Sequence, residues 1–334
     1  MIDLRALFIL TMAAFPSSLL QAQAPSLSPV DGARLEEVSR MMLLRKQIWK
    51  GWERTPLTVL LVSDSVEYLL GHSKAGPEFS RARRDSLFGK SVWTRSRVFP
   101  PTLLATFPAV GGMPTIVVGT AEHTGKSSTE WVLTLLHEHF HEWQYSMRDY
   151  YRRVAKLDLS GGDSTGAWML NYPFPYDSPP VKTAAKGLAQ AVSNALDAPP
   201  EKRNRAVAEV VRARVALAKQ LTPADNRYME FQLWQEGVAR YIEYKAASLA
   251  DRLGAPTAAF RALPDFESYQ FSAQRMALAL RRELDGFDLG QNRRVSFYPL
   301  GAALALLLDA TRSDWKRQYA AKPFEITPLL RKQH

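Results

Sequence analysis

TLLHEHFHEWQ, residues 134–144, is the stretch on which the fold and the chemistry of this chain depend, and it holds three of the six histidines. The segment HEHFH at 137–141 matches H-E-x-x-H, in which two imidazoles one helical turn apart bind a zinc ion at about 2.0–2.1 Å. The glutamate after the first histidine can take a proton from a water molecule whose pKa the metal lowers. The pattern predicts His137 and His141 as zinc ligands and Glu138 as the general base.

The residues around this motif predict a capped amphipathic helix. SSTE at 127–130 fits a capping box, in which the first serine and the glutamate satisfy each other's backbone N–H groups. Apolar residues then recur at spacings of three and four, as a helix requires. They are Val132, Leu136, Phe140, Trp143 and Met147. His139 is predicted to lie on roughly the opposite side of the helix from His137 and His141. Its predicted role is therefore packing or support of a ligand.

A third ligand must come from elsewhere, because no H-x-x-G-x-x-H continuation follows His141. The best candidate segment is FQLWQEGVARYIEYK at 231–245, on a helix that begins with a Thr-Pro capping sequence at 222–223. Glu236 is the predicted third ligand. Glu243, on the same face, is predicted either to orient a histidine or to pair with Arg240.

Gly237 follows the predicted ligand inside the same helix. A glycine in a helix interior costs about 1 kcal/mol relative to alanine. Its presence predicts that another backbone approaches closely, as two helices that hold one ion would.

The composition describes a folded chain without cysteine chemistry. With 334 residues, 46% hydrophobic and 23% charged, the chain can bury a sizeable core in one large domain or two smaller ones. The absence of cysteine excludes disulfides, a thiol nucleophile and thiolate zinc ligands, so a metal site must use nitrogen and oxygen atoms. The net charge is +10, but the basic residues are scattered in short groups. That scatter predicts a solvated basic surface and no nucleic-acid partner.

The first 24 residues have the pattern of a secretory signal peptide. Arg5 precedes an apolar run at 6–15, and the small residues of AQA at 22–24 follow, with Ala22 as an alternative end. The run is too short to span a bilayer, although an uncleaved membrane anchor is the alternative interpretation. We therefore expect an exported protein, periplasmic or secreted, with no stable membrane span after signal removal.

The order of the remaining segments predicts an α+β fold. After a helix at 35–53, short strands are expected at 57–63 and within 97–120, and helices over 127–153, 181–197, 201–220, 223–253, 266–283 and 298–312. This divides the chain into an α/β part at 25–148 with a short sheet and the H-E-x-x-H helix, a helical insertion or lid at 149–222, and a helical part at 223–334 that carries the third ligand.

LHEHFH followed by WQEGVARY resembles the gluzincins, a group of peptidase-MA-like zinc metallopeptidases with H-E-x-x-H and then W-x-E-G-x-A-x-Y. The resemblance implies a zincin-like fold and assigns the third zinc ligand to Glu236. GGMPTIVVG at 111–119 resembles the glycine-rich turn and the edge strand that binds substrate backbone in gluzincin aminopeptidases. FYPLGAALALLLD at 297–309 resembles the start of the helix whose tyrosine, here Tyr298, stabilises the oxyanion.

Two departures from that family are visible. Pro114 stands where the aminopeptidases have a glutamate for the substrate's amine, which argues against an aminopeptidase. Residues 142–235 separate the two motifs, a longer stretch than the compact family spacing. This stretch includes GGDSTGAWMLNYPFPYDSPP at 161–180, an aromatic and proline-rich loop that could overhang the cleft.

The sequence therefore predicts an exported zinc-dependent hydrolase, interpreted as a metallopeptidase acting on peptide or protein substrates. Tyr298 is the predicted oxyanion donor, with Tyr241 and Tyr244 as weaker candidates. One alternative is a non-catalytic zinc protein whose site is closed by a fourth protein ligand, Glu243 or His123. The other is a basic envelope-associated module that binds anionic polymers. The oligomeric state stays open.

Overall fold

The structure, a computed structural model, describes residues 26–72, 74–87 and 90–331, and it is a mixed α/β fold. The signal peptide predicted at 1–24 lies outside these residues. A six-stranded sheet occupies the amino-terminal part, and the chain after it is helical, which confirms the coarse α+β prediction. The strands are β1 (Val59–Val62), β2 (Val66–Leu70), β3 (Ser80–Leu87), β4 (Lys90–Ser96), β5 (Leu104–Val110) and β6 (Met113–Gly119).

The helices fall into groups before the sheet, directly after it and in the rest of the chain. Before the sheet lie α1 (Pro29–Met41) and α2 (Arg45–Ile48), and directly after it lies α3 (Ser128–Tyr145). The middle of the chain forms α4 (Tyr150–Ala155), α5 (Trp168–Asn171), α6 (Pro179–Asp197) and α7 (Pro200–Ala218). The remaining helices are α8 (Pro223–Gln232), α9 (Val238–Leu249), α10 (Ala258–Arg261), α11 (Tyr269–Asp285), α12 (Leu289–Asn292), α13 (Phe297–Thr311) and α14 (Trp315–Ala321).

The sheet has the strand order β3-β4-β2-β1-β6-β5. The β1–β6 pair is parallel, and every other pair is antiparallel. All four residues of β1, the sequence VLLV, are buried, as expected for a central strand covered on both faces. This confirms the strand predicted at 57–63.

The strand at the edge next to α3 is β5, and this corrects one expectation. Gly111 and Gly112, with φ of 58° and 72°, form the tight turn between β5 and β6. The sequence reading placed the cleft-lining edge on the strand after this turn. In the structure β6 lies inside the sheet, between β1 and β5, so β5 is the edge strand at this side of the sheet and β3 the edge strand at the other. Five of the seven residues of β6 are buried, against two of the seven residues of β5, as expected for an inner and an edge strand.

Helix α3 is fixed at its amino-terminal end by side chains from distant segments. The predicted capping box is present, with Ser127 and Glu130 satisfying each other's backbone N–H groups. The Arg34 guanidinium donates to the hydroxyl of Ser128 at 2.8 Å, and Asp265 accepts from the backbone N–H of Ser128 at 2.8 Å. These contacts with distant segments fix the position of α3 and therefore of the two histidines that it carries.

The helix predicted at 127–153 is two helices. It ends at Tyr145, and a second helix begins at Tyr150 after Asp149, whose φ of 62° lies in the left-handed region that interrupts a helix. The predicted helix at 223–253 is also interrupted, by a π-helical turn at Leu233–Gly237 that carries Glu236. Such turns insert an extra residue and are frequent at functional sites.

Gly237 is packed against another helix, as its sequence context predicts, but the partner is α13 and not α3. A Cβ atom on Gly237 would lie 2.4 Å from the Cα of Gly301. The two glycines therefore bring the backbones of the π turn and α13 into contact. This contact sets the position of Glu236 relative to the start of α13.

The segment predicted as an insertion at 149–222 has two parts with different surroundings. Helices α6 and α7 pack against each other, and α6 also packs on α11 and α13. Residues from 150 to 170, in contrast, line a cleft above α3. Among the described residues, no helix is long and apolar enough to cross a membrane.

Candidate metal centre

Three side chains with metal-binding atoms converge above α3. His137 and His141, one turn apart, bring their Nε2 atoms to 3.1 Å from each other. The Oε2 atom of Glu236 lies 3.7 Å from Nε2 of His137 and 3.5 Å from Nε2 of His141. The structure thus brings together the three residues predicted as ligands, and all three side chains are mostly buried.

The opposite nitrogen of each ring has its own partner. Nδ1 of His137 lies 2.6 Å from Oε1 of Glu243, and Nδ1 of His141 lies 2.6 Å from Oε1 of Gln144. A hydrogen bond at Nδ1 fixes the ring orientation and leaves the lone pair of Nε2 free for a metal. Of the two roles predicted for Glu243, the geometry therefore favours orientation of a histidine.

The orientation of the Gln144 amide follows from its neighbours. Its Nε2 atom donates to the carbonyl of Gln235 at 3.1 Å and lies 2.6 Å from the hydroxyl of Tyr319. A carbonyl oxygen only accepts, so the NH₂ group must face it, and Oε1 must face His141. The acceptor at 2.6 Å favours a proton on Nδ1 of His141, and the amide nitrogen of Gln235 lies 3.1 Å from the same atom. The sequence pattern assigns no role to Gln144.

The electrostatics of the site favour a bound cation. Burial lowers the pKa of His137, but the neighbouring carboxylates of Glu236 and Glu243 outweigh this and raise that pKa to about 10. Burial raises the pKa of Glu236, yet its bonds with the two histidines hold that pKa well below its usual value. A site that attracts positive charge, with two imidazoles and a carboxylate as donors, fits zinc. The ligand-type atoms of Glu138, His137 and His141 lie within 4.8 Å of one another.

Glu138 is held by the edge strand. The hydroxyl of Thr106, on β5, lies 2.7 Å from Oε2 of Glu138 and 3.0 Å from its backbone carbonyl oxygen. The glutamate is only 4% exposed. The predicted general base therefore stands between the histidine pair and β5 in a defined orientation, and Thr106 is a contact that the sequence reading missed.

Tyr298 also reaches the site. Its ring stacks on that of His137 with centroids 6.2 Å apart and an interplanar angle of 14°. Its hydroxyl accepts a hydrogen bond from Arg294 at 2.9 Å, and Arg294 lies 3.6 Å from Oε1 of Glu236. Burial and the charge of Glu236 raise the pKa of Tyr298 well above its usual value, so the hydroxyl keeps its proton. Arg294 was not identified from the sequence.

Other residues considered from the sequence lie elsewhere. Arg240 bonds to Glu283 at 2.7 Å and not to Glu243. The hydroxyl of Tyr241 is buried and donates to Asp309 at 2.6 Å.

His123 and His139 also have side-chain partners away from the converging residues. His123, the alternative ligand, lies 2.9 Å from Asp64, and its Nδ1 atom lies 3.1 Å from the hydroxyl of Thr120. His139, on α3 and fully buried, lies between Glu142 at 2.7 Å and Arg45 at 3.0 Å, which agrees with its predicted packing role.

The converging residues lie at the floor of a cleft of about 1380 Å³. Its walls are α3, β5, α11, the start of α13 and residues 150–170. No protein-family model, no curated protein and no solved structure matches the chain.

Proposed function

We propose that the protein is a zinc-dependent hydrolase of the metallopeptidase type, acting on amide bonds of peptides. One observation carries the proposal. The Nε2 atoms of His137 and His141 and a carboxylate oxygen of Glu236 converge within 3.1–3.7 Å of one another, at the floor of a large cleft. Each imidazole is also oriented by an acceptor at its other nitrogen.

In this proposal His137, His141 and Glu236 hold the ion, which supplies a Lewis acid that polarises the substrate carbonyl and acidifies water. Glu138 accepts the proton of the attacking water and passes it to the leaving amine. Thr106 keeps the Glu138 carboxylate turned toward the cleft. Proton transfer by a positioned side chain contributes about 10²–10⁴-fold to a rate.

The hydroxyl of Tyr298 donates a hydrogen bond to the carbonyl oxygen as negative charge develops there. Arg294 supports this role, because its N–H group occupies a lone pair of the phenol oxygen, which leaves the hydroxyl hydrogen as the donor toward the substrate. The high pKa of Tyr298 keeps that hydrogen in place at neutral pH.

The proposal includes a zincin-like arrangement of gluzincin type. Its support is the order H-E-x-x-H, then E-G-x-A-x-Y, and the position of α3 beneath a sheet whose free edge borders the cleft. Pro114 departs from the aminopeptidase pattern, so an endopeptidase or carboxypeptidase activity is the expectation.

A closed, purely structural zinc site would need a fourth protein ligand. The two candidates for it have other partners, since Glu243 bonds to the outer nitrogen of His137 and His123 pairs with Asp64. Among the described residues the geometry therefore favours a coordination position open to the cleft, as a catalytic site needs.

The test compares zinc content and peptide cleavage in the wild type, Glu236→Gln and Glu138→Gln. We expect about one zinc per chain in the wild type and in Glu138→Gln, and much less in Glu236→Gln, with cleavage in the wild type alone. Glu283→Gln is the matched control, because Glu283 pairs with Arg240 and contacts none of the three ligands. Wild-type zinc content in Glu236→Gln would refute the assigned third ligand, and full cleavage by Glu138→Gln would refute the assigned base.

A further inference from the structure

The two ends of the cleft differ in chemistry. Helix α3 lines it from Glu130 to Tyr145, a length of about 22 Å at 1.5 Å per residue. At the amino-terminal end Glu130 binds Arg275 at 2.6 Å, and Lys126 lies beside them on the wall. At the carboxyl-terminal end, beyond His141, the wall is mainly apolar and aromatic.

The aromatic end begins at the metal centre. The ring of Tyr145 stacks on His141, with centroids 6.2 Å apart and an interplanar angle of 17°. Tyr150 and Tyr151 continue the surface, with ring centroids 4.9 Å and 6.1 Å from that of Tyr145. The ring of Tyr145 therefore lies within the span of two extended substrate residues from that of His141, since one extended residue spans about 3.3–3.6 Å.

Two large apolar side chains on this wall face solvent. Tyr151 is 50% exposed and Leu170 is 58% exposed, and both line the cleft. Between them and the floor lies Trp168, which packs on Phe231 with centroids 5.4 Å apart. Exposed apolar side chains gathered in a concave surface are typical of a binding site for an apolar group.

The wall is held in place by hydrogen bonds. The carbonyl of Met169 accepts from the hydroxyl of Tyr228 at 3.0 Å and from the amide of Gln232 at 2.7 Å. Asp163 accepts from the backbone N–H groups of Thr165 at 2.7 Å and of Trp168 at 2.8 Å. These hydrogen bonds fix the surface before a substrate binds. The carboxylate of Asp163 already accepts hydrogen bonds from the chain itself.

We propose that this end of the cleft, lined by Tyr145, Tyr150, Tyr151, Trp168, Met169 and Leu170, is a subsite for a large apolar side chain, aromatic or branched aliphatic, of the peptide substrate. The inference rests on the proposed function, because the subsite adjoins the proposed metal centre. A charged side chain bound there would lose its hydration against tyrosine and leucine side chains without gaining a free counter-charge.

The experiment uses zinc-loaded protein and peptides that differ at one position next to the cleaved bond, after mass spectrometry of a peptide library has located that bond. Phe and Leu peptides should have kcat/KM values about 10–100-fold above those of Ala and Asp peptides. Leu170→Arg should remove this preference and raise kcat/KM for the Asp peptide about 10-fold. Leu278→Arg is the matched control, because Leu278 is 59% exposed on α11 and does not line the cleft.

A measurement of peptide binding without cleavage distinguishes this inference from the proposed function. Zinc-loaded Glu138→Gln should bind the uncleaved Phe peptide about 10-fold more tightly than the Asp peptide, and adding Leu170→Arg should abolish the difference. Cleavage of all four peptides at equal rates would overturn the subsite while the hydrolase stands. Selective binding without any cleavage by the wild type would support the subsite and overturn the hydrolase. Neither cleavage nor binding would overturn both.

Discussion

Gly237→Ala tests whether the contact between the π turn and α13 positions the metal centre. The added Cβ would lie 2.4 Å from Cα and 2.9 Å from the carbonyl carbon of Gly301, and 3.1 Å from the carbonyl oxygen of Phe297. All three are backbone atoms, so no side chain can rotate away. Because carbon atoms need about 3.5–4.0 Å, α13 would have to retreat by more than about 1 Å.

The magnitude follows from two opposed effects. Overpacking of this kind costs about 1–3 kcal/mol or more, and the better helix propensity of alanine returns about 1 kcal/mol. With an entropy of unfolding of about 2.1 cal/mol/K per residue, a net loss of up to about 2 kcal/mol in the free energy of unfolding lowers Tm by up to about 3 °C in a chain of 334 residues. The retreat of α13 also separates Tyr298 from Glu236, and a displacement of about 1 Å at a catalytic group can reduce kcat/KM about 100-fold.

The assay is thermal unfolding followed by circular dichroism, with and without zinc, beside peptide cleavage. Gly187→Ala on α6 is the control, because a Cβ there meets nothing within 4 Å. It should raise the free energy of unfolding by about 0.5–1 kcal/mol and leave cleavage unchanged. If Gly237→Ala were as stable as Gly187→Ala and fully active, the close helix contact and its positioning role would both be refuted.

Three further predictions concern single contacts. Gln144→Leu should weaken zinc binding about 10–100-fold in a chelator competition, because it removes the acceptor that fixes a ligand ring; unchanged affinity would contradict that role. Thr106→Val should lower kcat about 10-fold with little change in KM, and Thr106→Ser should restore it, because only the hydroxyl orients Glu138; a failure of serine to restore kcat would contradict this. The hydrogen bond from Arg34 lowers the pKa of Glu122 from 4.5 to about 2, so its stabilisation is complete above about pH 5 and is lost as the pH falls toward 2. Glu122→Gln should therefore reduce the free energy of unfolding by about 0.5–1 kcal/mol at pH 7, and by progressively less toward pH 3, in urea titrations; a pH-independent difference would refute the assignment.

Local sequence signals predicted the helices well. The capping residues at 127–130 and 222–225 gave two helix starts correctly, because a cap depends only on residues three positions apart. Strands β2, β3 and β4 were missed. β3, with the sequence SRARRDSL, lacks an apolar alternation because it pairs with β4 alone at the edge of the sheet. β3 is extended because it pairs with β4, and this pairing is not visible in the sequence of β3 itself.

For the candidate site, the sequence predicted the side chains that belong to a motif and missed those that support them. The ligand set required only spacing along α3 and a glutamate on one later helix. The contacts of Thr106 with Glu138 and of Arg294 with Tyr298 depend on how the sheet and α13 pack around α3. The predicted partner helix of Gly237 was wrong for the same reason, because the residues near position 237 carry no information about which helix packs against them.

The placement of the ligands along the chain has a consequence for the order of assembly during synthesis. The histidine pair of α3 leaves the ribosome about a hundred residues before Glu236, and Tyr298 follows later still. Two imidazoles alone hold zinc weakly, and the third ligand takes its position only when the two glycines of the π turn and α13 have met. In the proposed zinc site, tight metal retention would therefore be acquired at the end of folding, and a nascent chain truncated before α13 should release zinc to a chelator that the full chain resists.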